Sequence, residues 1–130
     1  MGDAALLVMN SENGRPIVLV VDDEPSVCTT VKILLKLRGF DVVTVESGAE
    51  ALVIFGDGEE FRFVITDFSM PGMTGVELAA AIKAKAPRHP ILLLTGYGEQ
   101  FQSQPPLGID RILEKPISMV KLDEAIRMLN

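Results

Sequence analysis

From Ile17 onward, short β-branched runs alternate with longer stretches of helical spacing, and nothing else restricts the possible folds of this chain so strongly. Ile17–Val21 reads Ile-Val-Leu-Val-Val, a continuous apolar run of the kind found in strands covered on both faces. Behind Pro25, the apolar residues Val27, Val31, Leu34 and Leu35 recur at helical spacing. Lys32 and Lys36 fall on another face, and Gly39 stops the helix. Asp41–Val45 is a second strand, after which Ser47 and Glu50 have capping-box spacing and open a helix through about residue 55. Residues 61–66 make a third strand. Thr74 and Glu77 repeat the box and start a third helix that ends before Pro87. Ile91–Thr95 is a fourth strand and residues 109–113 a fifth, weaker because Asp110 and Arg111 interrupt it. Leu122, Ala125, Ile126 and Leu129 mark a last amphipathic helix, capped by Ser118.

Strands that alternate with helices imply a parallel sheet with helices on both faces, a doubly wound five-stranded α/β domain. The 130 residues suffice for one such domain and are too few for two. Residues 16–130 are assigned to the domain and 1–15 to a flexible leader or linker. The early apolar stretch from Ala4 to Met9 lacks a basic flank and a cleavage site, which argues against a signal peptide, and Leu6 stands where a myristoylation motif wants Ser or Thr. No apolar run reaches the roughly 20 residues of a membrane helix. A net charge of −6 without a Lys/Arg cluster argues against direct nucleic-acid binding. The one cysteine, Cys28, lies in an apolar helical pattern and reads as a buried, inert thiol. These features fit a soluble protein of the cytoplasm.

Ligands in doubly wound sheets bind beyond the carboxyl ends of the strands, so those positions carry the functional signal. The first strand ends in Asp22-Asp23-Glu24, the third in Asp67, the fourth in Thr95, and the fifth in Lys115 followed by Pro116. Taken singly, each has a bland reading. An Asp-Asp pair favours a helix dipole, Asp67 caps a turn before Pro71-Gly72, Thr95 ends a strand, and Lys115 is a solvated lysine. Together they deliver acids, a hydroxyl and an ammonium to one rim. Crowded carboxylates repel unless a cation joins them, and a hard divalent ion with oxygen ligands suits them. Mg²⁺ binds through one or two carboxylates, keeps several waters and completes its shell with phosphate oxygens. A lysine supplies a charge for a phosphate oxygen, and an aspartate can serve as nucleophile to form an acyl phosphate.

These residues resemble the receiver domain of response regulators and hybrid histidine kinases, from about Pro16 to Asn130. The likeness rests on Asp22-Asp23, on Asp67 within Asp-Phe-Ser-Met-Pro-Gly-Met-Thr-Gly, on Thr95 with Gly96 behind it, and on Lys115-Pro116. The resemblance implies a flavodoxin-like (βα)5 fold, of the CheY-like superfamily, with strand order 2-1-3-4-5. It implies Asp67 as phosphoacceptor, with Mg²⁺ held by Asp22, Asp23, Asp67 and the backbone carbonyl of Ser69. Lys115 would pair with phosphoryl oxygens, Thr95 would turn toward them, and the Lys115-Pro116 bond would be cis. Met70, Pro71 and Gly75 would shape the loop after the acceptor.

Three departures stand out. Ile112 occupies the position of the usual Tyr or Phe, three residues before the lysine. Pro105-Pro106 cannot sit in a helix interior, so the fourth helix is expected to be short or irregular. Ser69 and Tyr97 lie two places beyond Asp67 and Thr95, where receivers tune attack of water on the acyl phosphate, and a bulky Tyr97 would lengthen its lifetime.

The single histidine, His89, lies at the entry end of the fourth strand and cannot be the donor. The implied partner is a histidine kinase or histidine phosphotransfer domain, docking near Pro25, Cys28, Thr29 and Ile117. A monomer or weak dimer is expected, either a stand-alone regulator or the terminal receiver of a hybrid kinase. A haloacid-dehalogenase-type phosphatase is disfavoured because Glu24, and not Asp, follows Asp22 by two. A flavin binder is disfavoured because the phosphate-cradling loop after the first strand is missing. The remaining alternative is a receiver-shaped binding module that is never phosphorylated.

Overall fold

The computed structural model describes residues 14–58, 60–96 and 105–129. Five strands, β1 (Ile17–Val21), β2 (Asp41–Val45), β3 (Phe61–Asp67), β4 (Ile91–Thr95) and β5 (Arg111–Glu114), form one sheet in the order β2-β1-β3-β4-β5. Every neighbouring pair is parallel. Among the described residues there are four helices, α1 (Pro25–Leu37), α2 (Gly48–Phe55), α3 (Gly75–Lys85) and α4 (Met119–Arg127). The fold class and strand order are those expected. The winding reverses between β1 and β3, which leaves a crevice at their carboxyl ends.

Each face of the sheet carries its own core. Leu19, Val21, Val64 and Leu93 pack with Phe55 of α2 and Leu78 and Ile82 of α3. Val18, Val20, Ile65 and Leu94 pack with Val31 and Leu35 of α1 and Leu122 of α4. A bulge tunes this alternation: the register moves from Ile17 opposite Phe61 to Val18 opposite Phe63, leaving Arg62 as an extra, exposed residue. Phe61 and Phe63, two apart, therefore face opposite cores.

The helix starts follow the side chains anticipated. Thr74 and Glu77 form a complete capping box, at 2.9 and 3.1 Å, and Ser118 accepts from the amide of Lys121. At α2 the box is altered. Ser47 accepts from the Glu50 amide, but Glu50 Oε1 accepts from Glu46, one residue earlier than expected.

The fifth strand also differs from its expected span of 109–113. Asp110 comes just before β5: its amide donates to the Ile91 carbonyl at 2.9 Å, and its Oδ2 accepts from the Ile91 amide at 2.8 Å and from Lys83 Nζ at 3.0 Å. The Ile109 amide closes a turn onto Pro106 instead. The expected irregular fourth helix falls mostly on residues 97–104, outside the described residues, and residues 105–110 form no helix. Tyr97 and residues 1–13 of the expected leader likewise lie outside the described residues. No helix of the described residues is long and apolar enough to cross a membrane.

Candidate functional site

The four strand ends meet. Asp22 follows β1 directly, and its amide donates to the Val45 carbonyl of β2 at 3.1 Å. Asp67 is the last residue of β3, paired with Leu94, so this carboxylate sits one residue deeper in the ladder than expected. Thr95 ends β4, and its carbonyl accepts from the Lys115 amide at 3.0 Å. Asp22, Asp67 and Thr95 are all buried, at 0, 5 and 1% exposure, whereas Asp23 is exposed. Buried acids of this kind are held only when paired or coordinated, which distinguishes them from solvated surface carboxylates.

Lys115 supplies the pairing. Its Nζ lies 3.0 Å from Asp67 Oδ1, 3.3 Å from Glu24 Oε1 and 3.5 Å from Asp22 Oδ2. The Lys115-Pro116 bond is cis, as the resemblance implied. Burial pushes the Asp22 and Asp67 carboxyls above their ordinary range, against the pull of the Glu24 amide on Asp22 and of Lys115 on Asp67. Burial also works against the charged Lys115, but the carboxylates around it win and its pKa is pushed up to about 12.

A cleft of about 430 Å³ opens above these groups, lined by Asp23, Glu24, Asp67, Phe68, Ser69, Thr95, Gly96 and Lys115. Asp22, Asp23 and Asp67 each offer a carboxylate oxygen, all within 4.8 Å of one another. Asp22 Oδ1 accepts from the Glu24 amide, but Oδ2 is buried without a hydrogen-bond partner. At 3.5 Å, Lys115 is an ion-pair neighbour of that oxygen and too distant for a good hydrogen bond. An orphaned carboxylate oxygen beside two further carboxylates fits a hard divalent cation such as Mg²⁺.

The loop after Asp67 is set by close packing. The Gly75 amide donates to the Phe68 carbonyl at 2.9 Å, and Met70 is buried in the core. A Cβ at Gly75 would collide with the Asp67 carbonyl oxygen and approach Leu93 Cδ1 to 2.9 Å. Ile112, at the position where an aromatic residue is usual, is half-buried against the core on the α2 and α3 side.

Of the expected docking patch, Pro25 and Thr29 are exposed and Ile117 is half-buried. Cys28 is buried, its Sγ donating to the Asp22 carbonyl at 3.4 Å, and so presents no surface. A groove of about 420 Å³ beside Lys115 is walled by Ser26, Val27, Thr30, Pro116 and Ile117, with neither Pro25 nor Thr29. His89 sits at the far end of the sheet, edge-on to Phe55 at 4.9 Å between ring centroids. Glu24 is the contact sequence reasoning missed: it was placed on the rim, but adjacency to Asp22-Asp23 gave no sign that it reaches Lys115.

Comparisons with known proteins agree with this geometry. Residues 18–127 match the family described as response regulator receiver domain. The chain is 34% identical over 111 residues to the transcriptional regulatory protein GlrR of Escherichia coli K12, covering 84% of this chain and 25% of that protein. It is 31% identical over 114 residues to the alkaline phosphatase synthesis transcriptional regulatory protein PhoP of Bacillus subtilis, covering 86% and 47%. The chain thus spans between a quarter and a half of the length of these relatives. Among solved structures, the response regulator TrrA of Thermotoga maritima, in complex with Mg²⁺-BeF, superposes with a TM-score of 0.80 at 34% identity, covering 88% of this chain and 99% of that one.

Proposed function

The chain belongs to the response regulator receiver family, the signalling phosphoacceptors of two-component systems, and on that premise we propose that Asp67 takes a phosphoryl group from a phosphohistidine donor. The observation that carries this reading is Lys115 Nζ at 3.0 Å from Asp67 Oδ1, in a cleft ringed by further carboxylates. A carboxylate oxygen of Asp67 attacks phosphorus and the nitrogen–phosphorus bond of the donor breaks. The electron pair returns to the donor imidazole, which takes up a proton. Lys115 pairs with the phosphoryl oxygens, and the Thr95 hydroxyl turns toward them. Asp22, Asp23, Asp67 and the backbone carbonyl of Ser69 would hold Mg²⁺, which when bound would offset the charge of the transferring group. The same groups serve the later loss of the phosphoryl group to water, and the domain acts on no other substrate.

The donor in this reading is a histidine kinase or histidine phosphotransfer domain in a cytoplasmic phosphorelay. The groove between α1 and Pro116-Ile117 supports it, because a partner seated there reaches a site that shares Lys115. Neither nucleic acid nor membrane is a direct partner, and the domain works as a monomer or weak dimer.

Incubation with a small phosphodonor and Mg²⁺, followed by intact-mass measurement, tests the proposal. The expected result is a gain of one phosphoryl group, abolished by Asp67→Asn and by a chelator. No gain from a small donor or from a phosphohistidine protein would overturn it in favour of a receiver-shaped binding module that is not phosphorylated.

A further inference from the structure

Glu24 is the N-cap residue of α1, yet its side chain makes no cap hydrogen bond. It reaches across the rim to Lys115 Nζ at 3.3 Å, a partner 91 residues away in sequence. Its backbone is committed elsewhere: the amide donates to Asp22 Oδ1, and the carbonyl accepts from Val27 and Cys28 at 3.1 and 3.2 Å. Glu24 therefore joins the buried acid to the lysine, with its backbone on one and its side chain on the other. An ammonium has three N–H donors, and three carboxylates surround that of Lys115. Asp67 and Glu24 hold the ammonium most closely, at 3.0 and 3.3 Å, and a phosphoryl oxygen that engages Lys115 competes with these carboxylates for it. Asp22 and Asp67 are buried, whereas the Glu24 side chain is 60% exposed and regains water on release. Contacts of such exposed pairs are weak, so Glu24 is the one that gives way.

We propose that Glu24 is a positioning residue of the site, which holds Lys115 until a phosphoryl oxygen replaces it and biases the cleft toward cation before anion. This rests on the phosphoacceptor reading and extends it. With Asp22, Asp23 and Asp67, Glu24 places four carboxylates against one ammonium at the cleft. The fourth negative charge draws in a divalent cation and repels an anionic phosphodonor, so its removal moves the two affinities in opposite directions. A variant that only loosened the site would weaken both.

The test compares wild type with Glu24→Gln, which keeps the side-chain shape and both backbone contacts, and with Glu24→Asp. Mg²⁺ affinity is measured calorimetrically without any phosphodonor, and acetyl phosphate is titrated at saturating Mg²⁺ at low and high ionic strength. For Glu24→Gln the expected result is Mg²⁺ binding weaker by roughly three- to ten-fold and acetyl phosphate half-saturation lower by a similar factor, on the order of one screened unit charge. Both differences shrink at high ionic strength, and Glu24→Asp retains most of the wild-type behaviour. Unchanged Mg²⁺ affinity in Glu24→Gln, or a loss of both affinities together, overturns the proposal. If wild type accepts no phosphoryl group, the phosphoacceptor reading fails, and the Mg²⁺ arm still decides the role of Glu24 in cation binding.

Discussion

At the scale of single residues, ionisable groups buried at opposite ends of the sheet have opposite effects on stability. His89 is held below its ordinary pKa by burial first and by Lys83 second, against the pull of Asp110. The unfolded chain therefore binds a proton near pH 6.5 that the folded chain declines. The resulting stability is fully present above that value and is lost as the pH falls toward the depressed folded pKa. The urea midpoint is expected to drop between about pH 7.5 and 5.5, and the drop to be smaller in His89→Gln. Asp22 and Asp67 act in the other sense. Their raised pKa values mean that the folded carboxyls take up protons before the unfolded ones do, so their burden on the fold eases as the pH falls. The sequence named these residues and placed them at strand ends. It could not show their desolvation, because burial is set by what packs over them.

At the scale of elements, the loop from β3 to α3 positions Asp67, the proposed acceptor. Thr74 and Glu77 cap α3, and Gly75 lets that helix start directly against the end of β3. The atom that a Cβ at Gly75 would strike is backbone, the Asp67 carbonyl oxygen, so the strain cannot be relieved by a side-chain rotation. Gly75→Ala is therefore expected to destabilise the domain by about 1–3 kcal/mol. It should also slow phosphoryl uptake by roughly ten-fold or more, since Asp67 must shift. Urea unfolding and intact-mass kinetics on the same preparation check both. The capping boxes were legible because they are spaced within one helical turn. The bounds of β5 were not: Asp110 looked like a strand interruption, and its engagement with Lys83, 27 residues away, and with Ile91 became visible only with α3 and β4 in place.

At the scale of the whole molecule, the sheet gathers charge that does not favour the fold by itself. Three carboxylates offering oxygens within 4.8 Å of one another, one with an orphaned buried oxygen, make the folded state a better cation ligand than the unfolded chain. Mg²⁺ at 100 times its Kd is expected to stabilise the domain by about 2.7 kcal/mol. A urea midpoint that rises with Mg²⁺ in wild type and stays level in Asp22→Asn would show the linkage, and a level wild-type midpoint would refute it. The sequence by itself determined the succession of strands and helices, the two-sided burial of the central strands, and the identity of Asp22, Asp23, Asp67, Thr95 and Lys115 as strand-end residues. Those properties live in periodicity and in the chemistry of adjacent residues. Tertiary structure alone decided the Arg62 bulge, the burial of Cys28 away from the groove beside Lys115, and the grip of Glu24 on Lys115. Each depends on groups brought together from distant parts of the chain and on the water they lose in meeting, which no local pattern records.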